Sequence, residues 1–300
     1  MLLLSKYTVL EYLLWLKTNN FSDCGVSLNL WESIKVMEVE SGTQNLVFEF
    51  SQNSNNYIIK QFRLDLSERK PYFVSEREAL NLKMPFTPTL VFYDELNQVI
   101  ITKKIPSQKP ISRVIRRNNT DDAIKTVICN TALKLIEIHK NLNLQAYPKN
   151  QKFPLEKWES KIKSNSDVSS LLSDFQRIWK QETWGLVHHD LNGANILVDN
   201  NYLDISIIDW EMSEIGYSYF DICAIVRIIC LCYHSPNVFD FPIPPKTETV
   251  WPKTKEFVTY FLECYGFTAS KGDLKVIFKV LYCDVYVNTH FFSVVDDLFK

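Results

Sequence analysis

The stretch 187–221 constrains this chain more than any other part of it. A His-His-Asp triplet ends at Asp190, an asparagine follows at Asn195, and a further carboxylate stands at Asp209. Two β-branched runs follow Asn195, and the Asp-Asn-Asn segment at 199–201 separates them, which is typical of a turn. The sequence therefore predicts a β-hairpin with Asn195 just before its first strand, Asp209 just after its second, and Asp190 on the loop leading in.

These three side chains have the chemistry that phosphoryl transfer from ATP requires. That reaction needs little covalent help from a protein and much positioning and charge neutralisation. Mg²⁺ prefers oxygen ligands and usually takes one or two carboxylates together with phosphate oxygens and water. Asn195 and Asp209 offer such oxygens, and Asp190 can accept the proton of an attacking hydroxyl. Any one of them alone would fit a polar surface hairpin, but the complete spacing favours an ATP- and magnesium-dependent site.

The pattern His-x-Asp-x-x-x-x-Asn followed by Ile-Asp-Trp-Glu resembles the aminoglycoside phosphotransferase and choline kinase group, which is related to the protein kinases. The resemblance implies a catalytic base at Asp190, magnesium ligands at Asn195 and Asp209, and support of the catalytic loop by His188 and Asp221. Serine/threonine protein kinases usually carry lysine where this chain has Asn192, and Phe-Gly where it has Trp-Glu. Both differences favour the branch that phosphorylates small molecules.

The same resemblance implies an α+β, two-lobed protein-kinase-like fold. Its antiparallel-sheet N-terminal lobe would span residues 1–104 and bind nucleotide, and its mainly helical C-terminal lobe would span 105–300 and hold the acceptor. A length of 300 residues suits such an organisation. In the first part, turn-forming residues separate paired β-rich runs, which predicts two hairpins. An amphipathic helix is predicted over residues 7–17, packed on this lobe.

Lys60 is the candidate ligand for the ATP phosphates. Period two places it on the same strand face as Ile58 and Phe62, where a charge is costly unless a carboxylate or phosphate meets it. The following helical stretch contains Glu76 and Glu78, which point to different sides of a helix. The Arg-Glu-Ala pattern of the resembled family favours Glu78 as the partner. The alternative is an edge-strand lysine whose ammonium group reaches water.

The loop before the first hairpin contains one glycine, Gly42, and therefore differs from the glycine-rich loop of protein kinases. Gly42, Thr43 and Asn45 are the candidates for covering the phosphates of ATP. A plain β-turn at Gly42 explains the same residues equally well.

Downstream of these motifs, the sequence predicts long helices. One begins near Asp121 and ends near His139, which is predicted to be a core or capping residue. Another, over 222–231, is apolar on nearly all sides and is predicted to be buried. Aromatic residues are frequent over 260–292. They could cage a quaternary ammonium acceptor, but packing in a hydrophobic core explains them more simply.

Composition excludes several other classes of protein. The net charge of −2 gives no electrostatic footprint for nucleic acid. No apolar run has the length of a membrane span, and the seven scattered cysteines lack zinc-site spacing, so they are predicted to be reduced core residues of a cytoplasmic protein. The predicted partner is a small-molecule hydroxyl acceptor such as an aminoglycoside, a choline-like amino alcohol or a sugar. The competing hypotheses are a catalytically silent kinase-like binding protein and a protein kinase.

Overall fold

The computed structural model describes residues 8–18, 37–38, 45–52, 55–62, 70–106, 108–116, 119–141, 155–166, 168–181, 184–234, 251–267, 270–282 and 296–299. The chain divides into two compact units. The first comprises residues 1–106 and 206–212, and the second comprises residues 107–205 and 213–300.

The described helices are α1 (Thr8–Thr18), α2 (Lys70–Asn81), α3 (Ile111–Val114), α4 (Asp121–Asn141), α5 (Leu155–Ser164), α6 (Leu172–Gln181), α7 (Ser218–His234), α8 (Trp251–Tyr265) and α9 (Lys271–Tyr282). The described strands are β1 (Met37–Glu38), β2 (Asn45–Gln52), β3 (Asn55–Phe62), β4 (Leu90–Asp94), β5 (Val99–Lys103), β6 (Lys109–Pro110), β7 (Trp184–Val187), β8 (Ile196–Val198), β9 (Ile205–Ile207) and β10 (Glu214–Tyr217). Short 3-10 turns occur at Ser169–Leu171 and Trp210–Met212.

The first unit is built on an antiparallel sheet with the strand order β1-β2-β3-β5-β4. Both predicted hairpins are confirmed, β2 with β3 and β4 with β5, and a turn over residues 95–98 connects the second pair. The predicted N-terminal helix is α1. Its residues Val9, Tyr12, Leu13 and Leu16 are buried at helical spacing in one apolar cluster with the sheet. The neighbouring Leu14 is 42% exposed, so one face of the helix is buried and another is accessible to solvent.

The second unit is mainly helical and contains short strands, two of which, β7 and β8, flank the loop 188–195. Strand β7 pairs antiparallel with β10, and β8 lies between β6 and β9. The predicted hairpin after Asn195 is confirmed as β8 and β9, and in its turn the Asp199 carboxylate accepts hydrogen bonds from the backbone N–H groups of Leu203 and Asp204. The predicted apolar helix belongs to α7. It is buried on nearly all sides, and its cysteines at 223, 230 and 232 are buried free thiols.

Strand β7 approaches helix α4 so closely that only glycine fits at one position. A Cβ atom at Gly185 would lie 2.7 Å from the carbonyl oxygen of His139. Because that contact is with backbone, it cannot be relieved by rotating a side chain. The path of the chain into the loop 188–195 therefore depends on Gly185.

Replacing this glycine should be destabilising. We expect Gly185→Ala to lower the free energy of unfolding by about 2–3 kcal/mol, the cost of overpacking a filled interior. Gly272→Ala is the matched control, because Gly272 lies in α9 and its added Cβ would meet only the Ser270 hydroxyl at 3.1 Å. Urea unfolding of both variants measures the difference, and equal stabilities would show that β7 can move away from α4.

Candidate active site

Lys60 of β3 lies at the centre of a cluster of carboxylates in the first unit. Its Nζ is 2.6 Å from Oε2 of Glu76 and 2.9 Å from Oε2 of Glu211, and it also pairs with Oδ1 of Asp209. The residue is only 9% exposed, and its Nζ lies 4.8 Å from the centre of the Phe62 ring. The sequence-based prediction that Lys60 shares a face with Phe62 and meets a carboxylate is confirmed. Its ammonium group is held in the interior and does not extend into water.

The prediction that Glu78 is the partner of Lys60 is wrong. Glu76 is the helix glutamate that binds the lysine, and it is 7% exposed. Glu78 instead accepts hydrogen bonds from the guanidinium of its neighbour Arg77, at 2.5 and 2.9 Å. The two glutamates are two positions apart and point to different sides of α2. The packing of α2 turns Glu76, the alternative to Glu78, toward Lys60.

The cluster carries more negative than positive charge. One lysine faces three carboxylates, so two negative charges are in excess when all three acids are ionised. Burial alone would lower the pKa of Lys60, but the charges of Glu76, Asp209 and Glu211 outweigh it and raise that pKa above its ordinary value. Burial is also the largest influence on Glu76, and with the neighbouring acids it raises the pKa of Glu76 to about 7 despite the opposing charge of Lys60.

Asn45, predicted to contact the nucleotide, lies at the start of β2 and is bound to this cluster. Its Nδ2 donates to Oε2 of Glu211 at 2.5 Å, and the same oxygen contacts Lys60. Glu211 therefore connects the beginning of the first hairpin to the Asp-Trp-Glu segment. The other two predicted phosphate contacts, Gly42 and Thr43, lie outside the described residues.

Backbone contacts hold the segment that carries Asp209. The N–H of Ile207 donates to the carbonyl oxygen of Phe86 at 2.8 Å, and the indole N–H of Trp210 donates to the carbonyl oxygen of Ile207 at 2.9 Å. Asp209 itself has a positive φ of 65°, a left-handed conformation that is uncommon for a residue with a side chain. Such a conformation persists when its surroundings impose it, and it often occurs at functional sites.

Glu76, Asp209 and Glu211 together could hold a metal ion. One carboxylate oxygen of each lies within 4.8 Å of the others. Hard oxygen donors are the ligands that Mg²⁺ prefers, and a divalent cation would neutralise the excess negative charge around Lys60. The sequence predicts Asn195 and Asp209 as the magnesium ligands. Asp209 belongs to this group of three acids, whereas Glu211 was not predicted, although it is part of the Ile-Asp-Trp-Glu motif.

The raised pKa of Glu76 predicts that the free energy of unfolding depends on pH. Between the ordinary value of 4.5 and the folded value of about 7, the folded state binds this proton more tightly than the unfolded state. The contribution of Glu76 to the free energy of unfolding therefore falls as pH rises through this range, by roughly 2–3 kcal/mol. Glu76→Gln should lack this loss, so denaturant unfolding at pH 5 and pH 8 should show wild type losing more stability than the variant.

Glu78→Gln is the matched control for that measurement, because Glu78 is on the same helix but bound to Arg77. It should keep the wild-type pH dependence. If Glu78→Gln removed the dependence while Glu76→Gln retained it, the assignment of the buried acid would be incorrect.

The second unit brings Asp190 and Asn195 together on the loop between β7 and β8. Nδ2 of Asn195 donates to Oδ2 of Asp190 at 3.2 Å and to its carbonyl oxygen at 2.9 Å. Asn192 shapes the same turn, because its Oδ1 accepts from the backbone N–H groups of Ala194 and Asn195. Because Asn195 uses its nitrogen on Asp190, its amide oxygen is the atom left for a cation.

Asp221 of α7 holds the backbone of this loop from below. Its Oδ2 accepts from the N–H of His188 at 2.9 Å, and its Oδ1 accepts from the N–H of His189 at 3.1 Å. His188 is buried in turn, and its Nδ1 accepts from the N–H of Asp190 at 3.3 Å. Although full burial opposes ionisation of Asp221, hydrogen bonds from the His139 ring and from the backbone N–H of His188 hold its pKa below the ordinary value. A buried carboxylate thus fixes the loop on which Asp190 lies.

His139 and Glu214 complete the surroundings of the loop and were not assigned to it from the sequence. His139, predicted as a core or capping residue, lies near the end of α4 and contacts Asp221 through Nε2 at 3.2 Å. His189 has a positive φ of 65°, and its Nε2 lies 2.8 Å from Oε1 of Glu214. No local sequence pattern could have revealed these contacts, because each partner lies on a different element.

Solved structures of small-molecule phosphotransferases share this fold. The ternary complex of APH(2")-IIa with streptomycin and ATP aligns over 100% of this chain and 99% of that chain, with a TM-score of 0.55 and 16% identity. Choline kinase from Cryptosporidium parvum aligns over 97% and 93% of the two chains, with a TM-score of 0.59 and 15% identity. The predicted α+β, protein-kinase-like fold is confirmed.

The sequence comparisons identify the family. The sequence model of the phosphotransferase enzyme family (APH) matches residues 35–233, which is more than half of the chain. The chain therefore belongs to the phosphotransferase enzyme family, and the predicted resemblance is confirmed. A segment of 102 residues is 26% identical to probable choline kinase 3 of Arabidopsis thaliana, covering 33% of this chain and 28% of that protein, so the chain matches less than a third of that relative's length.

Among the residues that the structure describes, no helix combines the length and the apolar character needed to cross a membrane.

Proposed function

We propose that this protein is an ATP- and magnesium-dependent phosphotransferase that phosphorylates a hydroxyl group of a small molecule. The observation that carries the proposal is the loop on which Asn195 orients the Asp190 carboxylate, in a chain that belongs to the phosphotransferase enzyme family. In this proposal residues 1–104 contribute the nucleotide-binding part, and residues 105–300 contribute the catalytic loop and the acceptor site.

Each side chain has a role in the proposed reaction. Asp190 orients the acceptor hydroxyl and accepts its proton as the oxygen attacks the γ-phosphate. Asn195 fixes the Asp190 carboxylate, and the buried Lys60 neutralises charge on the ATP phosphates. Asp209 and Asn195 provide oxygens for Mg²⁺, and Glu211 lies beside Asp209 for the same purpose. Bound magnesium would supply charge neutralisation at the phosphates.

The acceptor is proposed only as a class of compound. The loop that carries Asp190 and the carboxylate cluster around Lys60 are assigned to ATP and magnesium, and they do not discriminate among hydroxyl compounds. Aminoglycosides, choline-like amino alcohols and sugars all belong to this class. Release of ADP, measured with a panel of these compounds, identifies the member that is used. We also propose that the protein acts in the cytoplasm, where ATP is abundant.

Removing the proposed base should separate turnover from binding. Asp190→Asn should lower kcat by roughly 10²–10⁴-fold, the usual contribution of a general base. It should leave the Kd for ATP in the presence of Mg²⁺ within about twofold, because no phosphate contact is assigned to this residue. Coupled ADP release gives kcat, and isothermal titration calorimetry gives Kd.

Asp204→Asn is the control for that variant, since Asp204 is an exposed aspartate in the turn between β8 and β9 of the same unit. It should keep wild-type turnover. Undiminished turnover of Asp190→Asn would refute the assignment of the base and would favour a catalytically silent binding protein.

The proposed magnesium ligands predict a changed metal requirement. Asp209→Asn and Asn195→Ala should each raise the Mg²⁺ concentration for half-maximal activity roughly tenfold or more, at least the effect of losing an outer-shell partner. Asn200→Ala, in the exposed turn of the hairpin, should leave it unchanged. Titration of activity with MgCl₂ measures the requirement, and an unaltered midpoint in both ligand variants would contradict the assignment.

A further inference from the structure

A chain of hydrogen bonds connects the end of α8 to the backbone of the catalytic loop. The hydroxyl of Tyr265 lies 2.7 Å from Nδ1 of His139, and Nε2 of His139 lies 3.2 Å from Oδ2 of Asp221. The same carboxylate oxygen accepts the N–H of His188. Tyr265 is 7% exposed, and the side chains of His139 and Asp221 are 3% and 0% exposed. Water has little access to these three side chains, so the strength of their hydrogen bonds depends on the surrounding protein groups.

The position of Tyr265 is fixed by the way α8 ends. Tyr265 is the last residue of the helix, and the N–H groups of the next two residues bond back into its final turn. Gly266 donates to the carbonyl of Glu263 and Phe267 donates to that of Leu262, both at 2.9 Å. Gly266 has a φ of +69°, as this type of helix C-cap requires. Helix α8 therefore ends at the residue whose hydroxyl contacts His139.

The same end of α8 is attached to the helix that carries Asp221. The rings of Phe267 and Tyr219 lie 5.4 Å apart at an angle of 54°. Tyr219 is near the start of α7, two residues before Asp221, and is 4% exposed. The start of α7 and the end of α8 thus pack together close to Asp221. This packing fixes the position of Tyr265 relative to the Asp221 carboxylate.

The hydroxyl of Tyr265 can select one form of the His139 ring. In a neutral imidazole one nitrogen carries the proton and the other accepts a hydrogen bond. If the phenol donates to Nδ1, the proton stays on Nε2 and faces the Asp221 carboxylate. Without that donor, Nδ1 would lose this hydrogen-bond partner in a buried position, and the Asp221 carboxylate alone would favour the proton on Nε2. The hydroxyl thereby reinforces Nε2 as the donor to a buried carboxylate.

We propose that Tyr265 is a positioning residue of the phosphotransferase reaction: through His139 it holds Asp221, and with it the backbone that aims Asp190. Tyr265 does not touch the reacting atoms. This inference rests on the proposed function and adds to it a determinant outside the motifs, on a helix that follows the catalytic loop by more than fifty residues.

Removing one hydroxyl tests the proposal. Tyr265→Phe should lower kcat about three- to tenfold, the range that corresponds to one neutral hydrogen bond. The KM for ATP should stay within about twofold, because the nucleotide contacts are not altered. Tyr12→Phe is the matched control, since its hydroxyl donates to Asp94 at 2.8 Å in the first unit. The control should keep kcat within about twofold of wild type.

A double-mutant cycle separates positioning from general stability. In a His139→Gln background the Tyr265→Phe change should cause no further loss of kcat, because the group through which it acts is already gone. The proposal is overturned if Tyr265→Phe and Tyr12→Phe have the same kcat, or if the losses from Tyr265→Phe and His139→Gln multiply.

Histidine NMR tests the contact without any assay of activity. With ¹⁵N-labelled histidine, the wild-type His139 signal, assigned by its absence in His139→Gln, should report a proton on Nε2 and an acceptor at Nδ1. In Tyr265→Phe this pattern should change. A proton on Nδ1 in the wild type would overturn the proposal. If the wild type transfers phosphate to no acceptor, the proposed function fails, whereas the NMR result still decides whether Tyr265 orients His139.

Discussion

The buried carboxylate of Asp221 is the interaction on which the catalytic loop depends. A negative charge with no exposure to solvent is costly unless donors surround it. Here the donors are the backbone N–H groups of His188 and His189 and the ring of His139. The carboxylate can be buried only if the loop lies directly above it. The orientation of Asp190 on that loop thus follows from the requirement to satisfy a charge in the interior.

The cluster around Lys60 shows the opposite arrangement, in which charge is left unbalanced. Three carboxylates face one ammonium group, and burial together with the charges of the neighbouring acids raises the pKa of Glu76. A structural ion pair would need only one acid. Carboxylates in excess at a buried lysine are suited to a site that takes up a divalent cation, and Asp209 and Glu211 are the residues that would share it.

Local spacing accounts for the parts of the site that the sequence predicted. Asp190 and Asn195 are five residues apart on one turn, so their contact follows from the turn alone. The strand period placed Lys60 beside Phe62. The choice between Glu76 and Glu78 could not be made in this way, because either could face the sheet until the packing of α2 fixed its rotation. The family pattern favoured the residue that instead binds Arg77.

The sequence by itself determined the family, the fold class, the hairpins and the proximity of Asp190 and Asn195, because these depend on short motifs and on periodicity. Only the tertiary structure decided which distant residues support them. Asn45 meets Glu211 across 166 positions, and His139 meets Asp221 across 82. Such contacts depend on how whole helices and strands pack against one another, and the spacing of residues along the sequence does not predict that packing.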